Sequence, residues 1–140
     1  MTNMATHEAF ELVGRNLSDE ITATAGALRS LAQIEDFGDE RTYVVPALGL
    51  EATRDGAGLI KTVFLHSAGH EGFQAFPFAF QGLTFASKRA EVSEKLGRPI
   101  RSGVGRTGPW DAYEQNDRSI HFMYHSEAQS IALVTVAGVD

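Results

Sequence analysis

Four histidines and one serine are the residues whose types and spacing could do chemistry. His66/His70 and His121/His125 are both H-x-x-x-H pairs. On a helix, that spacing sets two imidazoles on one face and can hold zinc. On a strand, residues four apart are separated by about 13 Å, too far to share one ion. His121 and His125 fall where Ile120, Phe122 and Tyr124 alternate as the core face of a strand, while His66 ends another strand and His70-Glu71 lies in the loop after it. The expectation is therefore no metal and no cofactor. The four histidines should spread along one sheet face or its rim and lend pH sensitivity to an interface.

Ser67, in the run His66-Ser67-Ala68-Gly69-His70-Glu71, is the local candidate nucleophile. A triad needs a serine in a strained turn beside a histidine and a carboxylate, and this run lacks the G-x-S-x-G elbow. An ordinary glycine-bearing loop is the preferred reading. A ligand pocket or hydrolase site around His66, Ser67, His70 and Glu71 is the alternative.

Gly103-Val104-Gly105-Arg106-Thr107-Gly108 spells G-x-G-x-x-G. Those glycines serve a dinucleotide only between a strand and a helix, where the pyrophosphate meets the helix N-terminus. Here the run follows a helix and leads into Pro109-Trp110, so it reads as a surface loop with Arg101 and Arg106 as chance anion contacts. Asp111 and Glu114 read as carboxylates at a solvated strand edge, and Trp110 as a core plug or interface anchor.

The elements that must position these residues can be read in order. Residues 5–13 predict a short helix closed by Gly14. Ser18 is the expected N-cap of a second helix, with Ile21, Ala25, Leu28 and Leu31 on its buried face. Gly38 and a cluster of acids predict a loop. Strands follow at 42–45, 48–53 and 59–65, the last apolar on much of both faces and so central, with Arg54-Asp55-Gly56-Ala57-Gly58 as the hairpin turn. Ser87 is expected to cap a third helix running to Leu96, closed by Gly97 and Pro99. A glycine-rich loop and strands at 110–113, 120–124 and 130–136 complete the chain, with residues 126–129 as a turn.

The order of elements repeats. Shifting the first hairpin by 71 residues lays Ile60 on Ile131, Val63 on Val134, Leu65 on Val136 and Thr53 on Tyr124. The expected architecture is α+β: two tandem helix-plus-hairpin units, residues 1–70 and 71–140, sharing one antiparallel sheet with helices on one face. Between the strands of the two units, Phe73, Phe76, Phe78, Phe80 and Phe85 predict a buried crossover. Phe76, Phe78 and Phe80 alternate as in an edge strand, since Pro77 bars a central one. An exposed aromatic contact patch is the alternative.

Composition narrows the function classes. The 140 residues suit one domain. The absence of cysteine excludes disulfides and thiolate metal sites and suits a reducing cytoplasm, and no apolar run reaches membrane-spanning length. The start of the chain has no signal-peptide pattern, so a cytoplasmic location is expected. Net charge is −6, with 11 acids and 5 bases in residues 1–71 against 7 of each in residues 72–140. An acidic chain with one modest basic stretch is a poor nucleic-acid binder.

The run Gly82 to Pro99, followed by Trp110 and two strands, resembles the SmpA/OmlA outer-membrane lipoprotein domain and β-lactamase-inhibitor-protein-like folds. The positions that carry the likeness are Val92, Leu96, Gly97, Pro99 and Trp110. The doubled arrangement is closer to the inhibitor-like architecture, and the chain also resembles small bacterial proteins of immunity type. The resemblance implies a scaffold that binds another protein, a toxin or an enzyme, without chemistry of its own, as a monomer or homodimer. The residues expected to meet that partner are Trp110, Asp111, Tyr113, His121, Met123 and His125 on the sheet and its rim. To these is added the acidic loop with Glu35, Asp36, Asp39 and Glu40. Neither nucleic acid nor membrane is expected as a partner.

Overall fold

Eight strands make one antiparallel sheet in a computed structural model that describes residues 5–106 and 108–139. The strands are β1 (Gln33–Phe37), β2 (Glu40–Val45), β3 (Leu50–Arg54), β4 (Ile60–His66), β5 (Arg101–Gly105), β6 (Gly108–Gln115), β7 (Arg118–Tyr124) and β8 (Ile131–Gly138). Their spatial order is β1-β2-β3-β4-β8-β7-β6-β5. Two four-stranded meanders thus abut along β4 and β8, and β4 is central as its apolar sequence predicts. The α+β class and the antiparallel sheet are those expected.

Both outermost strands depart from the sequence reading. The acidic loop is β1 and its hairpin turn at Gly38-Asp39, and the glycine-rich loop is β5, hairpinned to β6 with Gly105 opposite Gly108. The last glycine of the G-x-G-x-x-G run therefore starts a strand, and the run's first half is itself strand. Its Thr107 lies outside the described residues.

Register separates the two faces of the sheet, because alternate residues point to opposite sides. Leu50, Ala52, Val63, Leu65, Val134, Val136, Ile120 and Phe122 share one face and are all buried. Three helices cover it: α1 (Thr6–Glu11), α2 (Ala23–Ser30) and α3 (Arg89–Leu96). α2 packs on β2 and β3 through Ala25 and Leu28. The Arg118 Nε–H, on the same face of β7, donates to the Phe10 carbonyl of α1 at 2.7 Å. No helix among the described residues is long and apolar enough to cross a membrane.

The helix starts correct the capping expectations. Ser18 lies inside a 3-10 turn, Leu17–Asp19, because Asn16 Oδ1 takes its N–H; α2 begins later, where Thr22 Oγ1 accepts from the Ala25 N–H. Ile21 consequently lies before the helix and is 96% exposed, and Leu31, past its end, is also exposed. Ser87 does not cap α3: its hydroxyl turns back to accept the Thr84 N–H, and Lys88 is the N-cap. Gly97 closes α3 with φ +85, as expected.

The phenylalanine crossover is buried, and it is not a strand. Phe73, Phe76 and Phe78 are in the core, while Phe80 and Phe85 pack against its border. The Phe78 N–H bonds to the Phe76 carbonyl, a tight turn about Pro77 that removes the ladder bonds a strand would need. The Phe76 N–H donates to the His66 carbonyl, and the Gln74 N–H to Pro46. Gly49, at φ +66, lies against this segment: a Cβ there would collide with the Gln74 carbonyl oxygen and the Phe76 nitrogen. Only glycine satisfies both the left-handed backbone and the close approach.

Candidate binding face and its histidine rim

The face opposite the helices is open. Across its middle run Val44, Glu51, Phe64, Thr135 and His121, each opposite the next along the register. Beside them run His66, Leu133, Met123 and Trp110, ending at Gly103 on β5. A row of hydroxyls, Thr42, Thr53, Thr62 and Ser119, borders the other side. Phe64, Leu133, Met123, Trp110 and His121 are all half-buried: walled by neighbours, uncovered from above.

Trp110 lies flat over Gly103, where a Cβ would come within 2.7 Å of the indole. On its other side the His121 ring stacks at 4.8 Å between centroids, tilted 27°. Burial, and then the Arg101 charge, hold the His121 pKa below its ordinary value, so the imidazole is neutral at pH 7.

The rim beside β4 holds the other histidines, and here the sequence reading needs correction. His66 leaves β4 into a turn at Gly69, whose φ is +79, and the chain folds back instead of running on straight. His70 therefore returns to His66: their Nδ1 atoms lie 2.9 Å apart. His66 Nε2 lies 3.0 Å from Glu51 Oε1, and the Phe73 ring stacks on the imidazole at 3.7 Å. With Glu51 ionised, His66 Nε2–H donates to it, the bare His66 Nδ1 accepts, and His70 Nδ1–H donates. The result is a hydrogen-bonded carboxylate–imidazole–imidazole chain. His125 approaches Ser67 instead, Nε2 to Oγ at 3.4 Å. Ser67 is buried and lies outside the Glu51–His66–His70 chain, and His125 has no carboxylate partner among the described residues. No group of three or more His, Asp or Glu is disposed to hold a metal among the described residues.

Burial, and then the neighbouring His66, depress the His70 pKa. The unfolded chain takes up this proton near pH 6.5, the folded one only lower. Below about pH 6.5 the unfolded state binds more protons, so this group's contribution is complete above that pH and is lost as pH falls toward the folded pKa. Urea melts at pH 7.5 and 5.5 are expected to show a larger loss for the wild type than for His70→Gln. Equal losses would refute the assignment.

Of the other expected contact residues, Met123 shares the open side with Trp110 and His121, and His125 lies just past the end of β7 beside Ser67. Asp111 and Tyr113 point to the helix face and are 3% and 4% exposed. Asp111 instead fixes α3 to the sheet. Its carboxylate receives Arg89 through two bonds of 2.8 and 3.0 Å, Ser102 Oγ–H at 2.6 Å and Tyr124 Oη–H at 3.0 Å. Burial works against the carboxylate, but the three donors and the Arg89 charge together outweigh it and hold its pKa below the ordinary value. Tyr113 Oη–H bonds the Gly97 carbonyl at the end of α3. Glu35, Asp36, Asp39 and Glu40 surround the β1–β2 turn, six strand spacings or about 29 Å from β6. The acids and Trp110 are therefore two separate regions. A cavity of about 340 Å³ lies on the helix side, lined by His7, Phe10, Phe80, Arg118 and Ile120, and by none of the rim histidines.

No family model matches the chain, and no curated protein matches it. Its fold is similar to that of a cysteine-rich secretory protein from Staphylococcus aureus. The TM-score is 0.63 at 10% identity, covering 91% of this chain and 44% of that one. It is also similar to a DUF4309 family protein from Bacillus subtilis, with a TM-score of 0.57 at 10% identity, covering 94% and 91%. The chain spans less than half the length of the staphylococcal protein. At this identity the likeness is one of fold alone. Neither neighbour is a β-lactamase-inhibitor-like or SmpA/OmlA protein.

Proposed function

We propose that this chain is a non-enzymatic protein-binding module of immunity or inhibitor type, cytoplasmic, which seats a toxin or enzyme on the open face of its sheet. The observation that carries the reading is the half-buried strip Leu133–Met123–Trp110, with Phe64 and His121 beside it, on a helix-free face. Aromatic anchors on a rigid platform are the usual energetic centre of an interface. The same reading takes residues 1–70 and 71–140 as copies of one unit. Register supports it with an offset of 70 from β3 to β7 and 71 from β4 to β8, which lays Thr53 on Met123 and not on Tyr124: Leu50 faces Leu65 as Ile120 faces Val136, and Ala52 faces Val63 as Phe122 faces Val134. Further out, Tyr43 faces Ala52 as Asp111 faces Phe122, and Ile34 faces Tyr43 as Ser102 faces Asp111.

Affinity capture from the native lysate tests the reading, with the wild type beside Leu133→Arg. A charged side chain at the centre of the face should abolish capture of a protein that the wild type recovers, with the melting temperature little changed. Recovery of nothing specific at low salt, or of the same proteins by both, would count against it.

A hydrolase or small-ligand site around His66, Ser67, His70 and Glu71 is favoured by one observation, the contact of His70 with His66, which in turn meets Glu51. Turnover of a chromogenic ester that disappears in His66→Ala would move the conclusion there.

A further inference from the structure

The two edges of the sheet are unpaired and opposite in charge. On β1 and its turn, Asp36 and Glu40 are engaged by Arg41 and Lys61, while Glu35 and Asp39 carry no ion pair among the described residues. On β5 Arg101, and just outside its ends Arg98 and Arg106, carry no ion pair among the described residues either. Each edge also exposes an apolar residue: Ile34 at 53% on β1 and Val104 at 82% on β5. An open strand with exposed apolar side chains is a template for another strand.

We propose that β1 of one copy of this chain pairs with β5 of a second copy, head to tail, extending the sheet. Three independent features converge on that occupant. First, direction: strands alternate across all eight positions, so β1 and β5 run oppositely, and a second copy placed beside the first continues the antiparallel alternation. Second, register: aligning Glu35 with Gly103 sets Ile34 opposite Val104 and Asp36 opposite Ser102, on the helix side of both strands, with Phe37 opposite Arg101 on the open side. Apolar meets apolar, and a carboxylate meets a hydroxyl. Third, charge: like charges oppose β1–β1 and β5–β5 pairing and favour β1–β5. Such a contact is heterologous, so growth does not close by itself. With strands rotating by about 20–25° each, successive copies turn by roughly half a revolution, giving a twisted ribbon.

Sedimentation equilibrium over a concentration series tests this on the intact chain. The weight-average mass should rise with concentration at low salt, and high salt should weaken the rise. Ile34→Lys and Val104→Lys each block one edge at an exposed site, and circular dichroism checks that both remain folded. Each should be monomeric alone, and a mixture should form a one-to-one dimer, because one intact β1 and one intact β5 remain. Monomer at every concentration of wild type, or a mixture of the two variants that stays monomeric, would overturn the proposal. Capture of other proteins by the open face bears on the binding reading alone, so the two can fail separately.

Discussion

Replacing Asp111 with alanine is expected to destabilise the fold by about 3 kcal/mol, the lower end of what breaking a buried ion pair costs. The carboxylate is 4% exposed, but the Arg89 guanidinium is 34% exposed and regains water once its partner is gone, which softens the penalty. Tyr124 has no such escape. Its side chain is fully buried, and its hydroxyl would lose its acceptor, a cost of about 1–3 kcal/mol within that total. At this chain length the melting temperature should fall by about 10 °C. The pH dependence follows from the lowered carboxyl pKa. Its contribution is complete above the unfolded value, near pH 4, and is lost as pH falls through the folded one. Wild type and variant should therefore converge only in acid. Urea melts at pH 7 and pH 3 would check this, and a constant gap between the two proteins would refute it.

The second large effect is expected at Phe76. Its ring is almost completely buried in the hydrophobic core, and truncation to alanine leaves a cavity there, costing about 3–5 kcal/mol. Pro77→Ala is the control: the residue is adjacent, exposed and without a donor to lose, so only a small change is expected. Denaturant midpoints at unchanged slope would read both effects. Equal stabilities for the two variants would mean that the crossover is a surface strap and not part of the core.

The central strands were legible because burial writes a period into sequence. Val63 and Leu65, or Ile120, Phe122 and Tyr124, announce a face. β1 leaves no such trace: all five of its residues are exposed, so nothing selects apolar side chains at alternate positions. β5 is similar, and its glycine at 103 is there for the indole above it, a reason invisible until β6 is placed alongside. Asp111 and Tyr113 were readable and misread. Trp110 and Asp111 are neighbours on one strand and must point to opposite sides; Asp111 shares parity with Tyr113, and a strand with Trp110 outward buries both. The meeting of His66 with His70 was beyond a spacing argument. It depends on the left-handed turn at Gly69, and strand geometry, applied past the end of the strand, gave the opposite answer.

The packing of Trp110 has an optical consequence. It is the chain's sole tryptophan, so the intrinsic fluorescence of the indole reports from one place, the β6 end of the open face. A protonated imidazole in van der Waals contact quenches an indole, and His121 is stacked on this one. Because burial and Arg101 hold that histidine neutral, emission should stay bright at neutral pH and dim only at acidities below the titration of free imidazole. Whatever seats itself on the face must displace water from the same ring, shifting the emission to shorter wavelength. The molecule carries its own label at the surface where a partner would be sought, and candidates could be screened by fluorescence titration without modifying a residue.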